Sequence, residues 1–324
     1  MSAVGQPPGS PPTARQWEEL AGRAAQRLAS VDEDTDLVRL FHGRGRLVEG
    51  LEPYTVDLLG SVVVLANFAR EEIDLAPGAR ALRAAFAGST KVTGIMGQQR
   101  RGRATRGDTL WGEVPDEVYG REAGLRYLLR PSRNQNVGLF LDAAPARAWV
   151  REQADGARVL NLFSYTCAFS VAALAGGARA VVNNDMSRTA LDWGRVNHDL
   201  NGMPDQNAGQ SVTYLPHNLL KSWWKIRKFG PFDLVVIDPP TNQRGSFNSE
   251  KQYSAVLKRL PDMLNPGAHV VACLNSPFLG FDFLPAQVAR WCDGWRSLGR
   301  LSGSADFADA EPERALKVEL YRVP

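Results

Sequence analysis

An acidic residue at the end of a predicted strand is the first feature of this sequence that could do chemistry. Residues 161–187 read NLFSYTCAFSVAALAGGARAVVNNDMS, which predicts a strand, a tight loop, a helix and a second strand that ends at Asp185. A carboxylate in that place can accept hydrogen bonds from both hydroxyl groups of a ribose. The loop offers backbone N–H groups at a helix N-terminus. The pattern favours a site for a nucleotide-type cofactor.

The loop, Ser164-Tyr165-Thr166-Cys167-Ala168, contains no glycine. The pyrophosphate of NAD must approach the backbone closely, and the GxGxxG pattern that permits this approach is missing. S-adenosylmethionine has no phosphate groups, so its methionine tail can bind beside a loop of larger residues. The sequence therefore favours S-adenosylmethionine over a dinucleotide. The alternative is a structural turn between strand and helix that binds no ligand.

A second acidic residue, Asp238, follows the apolar strand in FDLVVIDPPTNQRGSF and precedes Pro239 and Pro240. In a doubly wound sheet the carboxyl ends of the strands face the ligand crevice. The prolines fix the backbone and lack N–H groups, so we expect their carbonyls to face a substrate. An Asp there can hydrogen-bond to a base or accept its proton, which makes Asp238, Pro239 and Pro240 the candidate catalytic segment. The alternative is a strand that merely ends at prolines.

Strands and helices alternate from about residue 134 onward. The predicted strands are 157–162, 179–184, 211–215, 232–237 and 268–274. The predicted helices are 167–176, 187–201, 218–228 and 249–264, followed by a helix at 284–294 and late strands at 299–307 and 315–322. This alternation predicts an α/β fold with a doubly wound, mostly parallel sheet.

The N-terminal part has a different pattern. Two apolar runs around Gly60 and Ser61 predict a hairpin, and Pro77 and Gly88 bound a predicted helix. We therefore divide the chain into three regions. They are a flexible tail with a short helix (1–34), a small α+β domain (35–130) and a cofactor-binding domain (131–324).

Composition narrows the class of protein. The chain has 324 residues, three cysteines without a CxxC pair and a net charge of +3. The odd cysteine count argues against a disulfide framework, and the scattered histidines show no metal-ligand spacing, so we expect no metal site. We find neither a signal peptide nor a membrane span, and we predict a cytoplasmic location. The small positive charge is compatible with nucleic acid and with many metabolic substrates.

Taken together, these motifs resemble class I S-adenosylmethionine-dependent methyltransferases. Within that class the chain is most similar to bacterial 23S ribosomal RNA methyltransferases that make 7-methylguanine, and to related cytosine-5 enzymes. The stretches that carry the resemblance are 161–202, 137–147, 236–247 and 272–281. The resemblance implies a seven-stranded Rossmann-like methyltransferase sheet with a smaller β-rich N-terminal domain.

The resemblance also implies a set of cofactor contacts. Asn161, Phe163 and Ser164 line the methionine end, Asp185 binds the ribose, and Met186 packs on the adenine face. Asp238 and Pro239 face the methyl group. The full set of implied contacts is Phe140, Asp142, Asn161, Phe163, Ser164, Tyr165, Thr166, Asp185, Met186, Asn218 and Asp238.

Three positions depart from the family pattern. Cys167 or Ala168 stands where the family has a loop glycine, and Asn218 stands where it usually has Asp to receive the adenine amino group. Cys273 lies about one residue before the cysteine that attacks the ring in the cytosine-5 enzymes. Two interpretations of Cys273 remain, a nucleophile or a small buried residue. We expect Cys167 to be a small loop residue and not a nucleophile.

Basic and aromatic residues suggest an RNA substrate. Residues 98–108, QQRRGRATRGD, predict a flexible basic loop in which Arg100, Arg101 and Arg103 contact phosphates, or else a solvated hairpin tip. The stretch KSWWKIRKF could stack on unpaired bases, although Trp223 and Ile226 more simply pack on the sheet. We also expect Arg133 at the mouth of the crevice, and the resemblance implies a substrate contact for Asn275.

Three functions fit these observations. The first is methylation of a base of ribosomal RNA, with a ring nitrogen of guanine favoured over carbon 5 of cytosine. The second is methylation of a small molecule or a protein, and the third is a degenerate relative that binds the cofactor without activity. RNA, most plausibly ribosomal, is the predicted partner, and the sequence leaves the oligomeric state open.

Overall fold

The computed structural model describes residues 11–101, 104–132, 136–203, 206–207, 209–243 and 247–324. The chain divides into two compact units. Unit 1 comprises Met1–Leu141 and Ala305–Ala310, and unit 2 comprises Asp142–Ser304 and Glu311–Pro324. The division thus lies at Leu141, where the sequence pattern suggested residue 130.

The described residues of unit 1 form a five-stranded sheet and a separate hairpin. The elements are α1 (Ala14–Ala29), β1 (Leu37–His42), β2 (Tyr54–Leu59), β3 (Val62–Asn67), α2 (Ala76–Ala85), β4 (Gly94–Arg101), β5 (Ala104–Gly112), β6 (Val118–Glu122) and β7 (Leu125–Leu129). The sheet order is β1-β2-β3-β4-β5, in which only β3 and β4 run parallel, joined through α2. β6 and β7 pair with each other.

Helix α1 belongs to the core of unit 1. Its N-terminus has a capping box, in which Thr13 and Gln16 exchange side-chain and backbone hydrogen bonds. Its buried residues, Trp17, Leu20, Ala21, Ala24 and Leu28, follow the helical period and join the apolar cluster of the sheet. The sequence pattern set this helix apart with the tail, whereas its apolar stripe is covered by unit 1.

A short C-terminal segment is also part of unit 1. Asp306 accepts hydrogen bonds from the Arg27 guanidinium, with the shorter N–O distance at 2.6 Å, and Asp309 accepts one from Arg46 at 2.6 Å. The sequence pattern predicts a strand across 299–307. The strand covers Arg296–Arg300 instead, and Ala305–Phe307 is a 3-10 turn held by these ion pairs.

The basic segment 98–108 is largely strand, which corrects the expected flexible loop. β4 and β5 pair as a hairpin, with Gln99 opposite Arg106 and Arg100 opposite Thr105. Backbone pairing along this hairpin outweighs the polar composition, because strand preference depends strongly on the neighbouring strand. Arg100 therefore has a fixed place on a strand.

The described residues of unit 2 form an eight-stranded sheet flanked by helices. The elements are α3 (Ala144–Gln153), β8 (Arg158–Leu162), α4 (Ala168–Ala175), β9 (Ala180–Asp185), α5 (Arg188–Leu200), β10 (Gln206–Asn207), β11 (Gln210–Pro216), α6 (Trp223–Arg227), β12 (Phe232–Ile237), β13 (Asn242–Gln243), β14 (Phe247–Asn248), α7 (Ser249–Leu257), β15 (Leu264–Leu274), α8 (Phe283–Trp291), β16 (Arg296–Arg300) and β17 (Lys317–Arg322). The sheet order is β10-β11-β9-β8-β12-β15-β17-β16.

The predicted fold class is confirmed. The five strands β11, β9, β8, β12 and β15 run parallel, and β17 and β16 continue the sheet antiparallel. Within the described residues these seven strands match the expected number, and the two-residue β10 extends the edge. Along β12, Leu234 and Val236 join one apolar cluster while Val235 and Ile237 join the other, so helices cover both faces.

Two predicted helices are shorter than expected. The segment expected as one helix over 218–228 is a 3-10 turn, Leu219–Lys221, followed by the five-residue α6. The helix expected over 249–264 ends at Leu257 and gives way to a 3-10 turn at Pro261–Met263. Proline lacks the N–H that helix continuation needs, which accounts for the second break.

In the described part of the chain, no helix has the length and apolar character to cross a membrane.

Replacement of Leu20 tests whether α1 is integral to unit 1. Leu20→Ala removes a fully buried side chain, so we expect the free energy of unfolding to fall by about 2–5 kcal/mol in urea denaturation. Glu18→Ala on the exposed face of the same helix is the matched control, with an expected change within about 0.5 kcal/mol. Equally small changes for both variants would contradict the packing of α1 into the core.

Candidate functional site

The strand order in the sheet of unit 2 has its switch point at β8. β9 and β11 lie on one side of this strand, and β12 and β15 lie on the other. Ligands of doubly wound folds bind outside the carboxyl ends of the strands at such a switch point. Asn161 and the loop 163–167 are at the end of β8, Asp185 ends β9, and Asp238 follows β12. The three sequence-predicted segments therefore lie at one edge of the sheet.

The loop after β8 adopts a conformation typical of glycine without containing any. Phe163, Tyr165 and Cys167 have φ values of 57°, 46° and 63°. The left-handed region costs a residue with a Cβ roughly 1–2 kcal/mol, and such strain persists only where surrounding contacts impose it. Here the Ser164 N–H donates to the Asn184 carbonyl at 3.0 Å, and the Tyr165 N–H donates to Asp185 at 2.9 Å. The neighbouring strand thus holds the loop.

Cys167 contributes packing at the start of α4. Its side chain is fully buried and lies against Gly194 of α5, where a Cβ would overlap the Cys167 sulfur. Burial raises the pKa of the thiol well above its ordinary value. A protonated, enclosed thiol is a poor nucleophile, in agreement with the expectation for this residue.

Asp185 connects three parts of the site. One carboxylate oxygen accepts the Tyr165 N–H at 2.9 Å, and the other accepts the Ser187 N–H, at the start of α5, at 2.8 Å. Burial raises the pKa of Asp185, and these backbone N–H groups partly offset the rise. A carboxylate offers about four acceptor positions, so Asp185 keeps capacity to accept from a ribose hydroxyl beside these backbone N–H groups. Met186 follows with 46% of its surface exposed, and its contact with adenine stays a prediction.

A buried polar network supports the end of β8. The Asn161 amide donates to Asn183 at 2.9 Å, the Asn183 amide donates to Ser170 at 3.1 Å, and the Ser170 hydroxyl bonds His198 at 2.8 Å. Asn161 Oδ1 is buried and accepts no hydrogen bond from any described residue. A buried acceptor without a partner costs about 1–3 kcal/mol, which a donating ligand recovers. The ammonium group of S-adenosylmethionine is such a donor, so this position fits the cofactor.

Asp238 lies in a charged cluster at the end of β12. The residue is half-buried overall, while its carboxyl group is enclosed. Burial, together with the charge of Asp142, raises the pKa of Asp238 to about 7, and the charge of Arg147 opposes the rise. Arg147 is buried on α3, with its guanidinium carbon 6.0 Å from the centre of the Phe169 ring. The Asp238 carboxyl can therefore change its charge near neutral pH.

The segment after Asp238 is tied down by side chains. Ser249 donates its hydroxyl to the Pro240 carbonyl at 3.0 Å, which corrects the expectation that both proline carbonyls face a substrate. The Pro239 side chain is buried. The Thr241 hydroxyl donates to the carbonyl of Asn275, an exposed residue just after β15. The segments after β12 and β15 are thus joined.

Cys273 lies on β15 among apolar residues of unit 2. It is fully buried, pairs with Val318 in the sheet and belongs to the cluster that covers α3 and α4. Burial raises the pKa of its thiol well above the ordinary value, and the charges of Asp238 and Asp142 raise it further. A thiolate is disfavoured in this position.

Three further predicted cofactor residues of unit 2 lie at the same edge of its sheet. Ser164 and Thr166 are buried in the loop. Asn218 is half-buried just after β11, and its side chain does not cap the 3-10 turn that follows. Phe140 is exposed and belongs to unit 1.

The predicted RNA contacts have different outcomes. Arg100 is half-buried in unit 1, donates to Gln98 at 2.9 Å and lies over the Phe68 ring at 5.2 Å. Arg103 and Arg133 lie outside the described residues, as does the side chain of Arg101. These four arginines therefore stay predictions as substrate contacts.

The aromatic stretch on α6 is divided between core and surface. Ile226 is fully buried and Trp223 packs against the same apolar cluster, as expected for core residues. Trp224 is 59% exposed, and the ammonium groups of Lys228 and Lys225 lie 4.6 and 5.5 Å from its ring centre. An exposed ring between lysines is suited to stacking on a base.

Sequence reasoning missed Arg147 and His198. Ala143, Ala146 and Val150 of the core place Arg147 on the apolar face of its helix, and a charge on such a face is a signal that the sequence contains. His198 is fully buried and completes the polar network, and only its contacts reveal this role.

Comparison with known proteins connects this geometry to a family. A model of the S-adenosylmethionine-dependent methyltransferases matches residues 38–322. The structure of SMU.776 complexed with SAH superposes with a TM-score of 0.81 at 22% identity, covering 97% of this chain and 83% of that one. The SAM-dependent methyltransferase from Agrobacterium tumefaciens gives 0.64 at 19% identity, with 90% of each chain covered. These two likenesses show the fold.

Curated relatives have related names. The ribosomal RNA large subunit methyltransferase K/L of Ectopseudomonas mendocina is 30% identical over 85% of this chain and 36% of that protein. The K/L enzyme of Shewanella pealeana is 36% identical over 49% of this chain and 22% of that protein. Ribosomal RNA large subunit methyltransferase I of Aeromonas salmonicida is 33% identical over 59% of this chain and 49% of that protein. In these three matches the chain spans about a fifth to a half of the relative's length.

The predicted resemblance, enzyme class and cofactor are confirmed at the level of the family. Because the family model covers most of the sequence, this chain belongs to the S-adenosylmethionine-dependent methyltransferases.

Proposed function

We propose that this chain transfers the methyl group of S-adenosylmethionine to a base of ribosomal RNA, with a ring nitrogen of guanine as the favoured acceptor. The observation that carries the proposal is the convergence of Asn161, Asp185 and Asp238 at one edge of the sheet of unit 2. The names of the curated relatives support ribosomal RNA as the substrate class. A cytoplasmic location agrees with this function and stays a prediction.

In this proposal the methionine end of the cofactor lies at the end of β8 and its ribose lies at the end of β9. Asn161 Oδ1 accepts from the ammonium group of the methionine end, beside Phe163 and Ser164. Asp185 accepts the ribose hydroxyls, and Met186 covers the adenine. Tyr165, Thr166 and Asp142 complete the surroundings, and the Asn218 amide oxygen accepts from the adenine amino group without adding a charge.

The bound cofactor supplies a methyl group on a positively charged sulfur. Transfer to a ring nitrogen forms one N–C bond and breaks one S–C bond, with the bonding electrons remaining on sulfur. The nitrogen lone pair is available without deprotonation, so the protein's task is to position the base in line and to exclude water. Asp238 lies at the acceptor side, where its anionic form stabilises the positive charge that the methylated ring acquires.

The state of Cys273 favours nitrogen over carbon 5 of cytosine. Cytosine-5 transfer needs a thiolate that attacks ring carbon 6. Cys273 is fully buried on its strand, and its pKa is raised. These properties suit a packing residue. Transfer to nitrogen needs no thiolate, so it is compatible with the buried state of this cysteine.

An RNA substrate is also supported by the surface of α6. Trp224 is exposed, and Lys225 and Lys228 lie over its ring. Lysines attract phosphates, and the exposed part of the Trp224 ring offers an aromatic surface to an unpaired base.

Removal of the Asp185 carboxylate should weaken cofactor binding. Asp185→Ala deletes the proposed ribose acceptor and the tie to the Tyr165 N–H, so we expect the Kd for S-adenosylhomocysteine to rise about 10- to 100-fold in calorimetry. Asp192→Ala, an exposed carboxylate on α5, is the control and should leave Kd unchanged. Equal Kd values for the two variants would exclude Asp185 from the site.

The charge of Asp238 should make binding depend on pH. Its carboxyl is neutral below about pH 7 and anionic above it. Because the pKa of Asp238 is raised in the folded state, the neutral carboxyl favours folding. Its contribution to the free energy of unfolding is complete below about pH 4 and is lost as the pH rises through 7. S-adenosylmethionine carries a sulfonium charge that S-adenosylhomocysteine lacks, and the anionic Asp238 attracts that charge. The affinity for S-adenosylmethionine divided by the affinity for S-adenosylhomocysteine should therefore rise as the pH rises through 7.

The same titration with Asp238→Asn is the control for this prediction. The two ligands share every other ionisable group, so the pH effects of protein groups that do not sense the sulfonium charge cancel in the ratio. We expect a flat ratio from pH 5.5 to 8.5 in the variant. A ratio that rises equally in wild type and variant would assign the pH dependence to another group.

Nucleoside analysis tests the reaction itself. A strain of the source organism without this gene should lose 7-methylguanosine from its 23S ribosomal RNA, as measured by mass spectrometry. The wild-type gene and Cys273→Ala should both restore it, whereas Asp185→Ala should not. An unchanged profile, with cofactor binding intact, would rule out ribosomal RNA. Failure of Cys273→Ala to restore methylation, in a variant that folds and binds cofactor, would instead favour the cysteine mechanism.

A further inference from the structure

Phe278 is the most exposed large apolar side chain among the described residues. It lies in the segment after β15, and 87% of its surface is accessible. Its neighbour Leu279 packs against the apolar cluster that covers α7 and α8. Single exposed apolar residues are common, so exposure alone says little. The support beneath this side chain distinguishes it.

The first half of the segment is held by three contacts. Thr241 donates its hydroxyl to the Asn275 carbonyl, and the Phe278 N–H donates to the Ser276 hydroxyl at 3.3 Å. The Lys317 ammonium group donates to the Ser276 carbonyl at 2.8 Å and to the Ala315 carbonyl at 2.9 Å. The buried Lys317 ammonium group needs such hydrogen-bond acceptors because it is removed from water. One of them is the Ser276 carbonyl, so Lys317 fixes the segment.

The second half of the segment is held by Arg300 and lies close to Glu313. The Arg300 guanidinium donates to the Phe281 carbonyl at 3.2 Å, and its central carbon lies 3.7 Å from the centre of the Phe281 ring. At Gly280 the backbone approaches Glu313 so closely that a Cβ would lie 2.8 Å from its carboxylate. The segment therefore presents the Phe278 ring from a backbone that is fixed at both ends.

The place of this segment in the sheet defines the ligand it can meet. β15 is next to β12, and the two strands are parallel. The proposed ribose acceptor Asp185 follows β9, which lies beyond β8 on the other side of Asp238. Phe278 thus follows the strand next to the acceptor side, away from the ribose.

We propose that Phe278 is a stacking platform for an unpaired base of the RNA substrate. The inference rests on the proposed function and extends it to a specific contact. Pro277 and Asn275 beside it are exposed as well, and the other ring of the segment, Phe281, is half-buried with the Arg300 guanidinium over it. A protein partner generally needs a larger buried patch, whereas a nucleobase needs one aromatic face. Prior fixation of the segment reduces the entropy lost on binding.

Four proteins test the platform. Wild type, Phe278→Ala, Phe278→Leu and Phe278→Tyr are compared for transfer of tritiated methyl groups to protein-free 23S ribosomal RNA from a strain that lacks the gene. We expect Phe278→Ala to raise KM about 5- to 100-fold, the range for loss of one base–aromatic stack. Phe278→Tyr should retain wild-type KM, and Phe278→Leu should behave like Phe278→Ala. The Kd for S-adenosylhomocysteine should be the same in all four.

Leu298→Ala is the control, because it removes another exposed apolar side chain of unit 2, 39% accessible on β16. It should leave KM unchanged. A wild-type KM for Phe278→Ala, in an assay where wild type is active, would overturn the platform and leave the proposed function intact. An effect of Phe278→Ala only on assembled large subunits would assign the ring to a protein contact instead. Inactivity of wild type on both this RNA and assembled large subunits would remove the proposed function and the platform together.

Discussion

The hydrogen bond from the Tyr165 N–H to the Asp185 carboxylate is the contact on which the crevice of unit 2 depends. It joins the loop after β8 to the end of β9 at 2.9 Å. The loop contains left-handed residues with side chains, so it needs an external tie where glycine would need none. The same carboxylate fixes the start of α5 through the Ser187 N–H. One side chain therefore sets the loop, the following helix and the proposed ribose contact.

Burial of polar groups gives the crevice its chemistry. Where water is excluded, an acceptor without a partner is costly and a carboxyl group resists ionisation. Asn161 Oδ1 shows the first effect and Asp238 the second. In the proposed function, the ammonium group and the sulfonium charge of the cofactor relieve both. The structural cost of burying these polar groups and the proposed affinity for the cofactor thus have one physical origin.

The acceptor side of the sheet depends on residues from much later in the chain. Lys317 at the start of β17 binds the carbonyl of Ser276, and Thr241 joins the segment after β12 to the segment after β15. β17 runs antiparallel beside β15 and so places these contacts together. The antiparallel end of the sheet thereby fixes the surroundings of Asp238 as well as closing the fold.

The alternation of apolar strands and helices, and the acids at two strand ends, could be predicted from the sequence because they depend on local periodicity. Asp185 and Asp238 were found in this way, and so was the sheet that aligns them. The left-handed loop could not be predicted, because its Tyr165 N–H is held by Asp185 from another strand and its Cys167 side chain is accommodated by Gly194 from another helix.

The same limit explains the corrections. The composition of 98–108 predicts a loop, whereas Arg100, Arg101 and Arg106 lie in paired strands. The Pro240 carbonyl was taken up by Ser249, and the pKa of Asp238 was set by burial and by the charge of Asp142. Thus the sequence by itself determined the elements and the residue types at their ends. Tertiary structure alone decided exposure, charge and hydrogen-bond partners, because these depend on atoms that are distant along the chain.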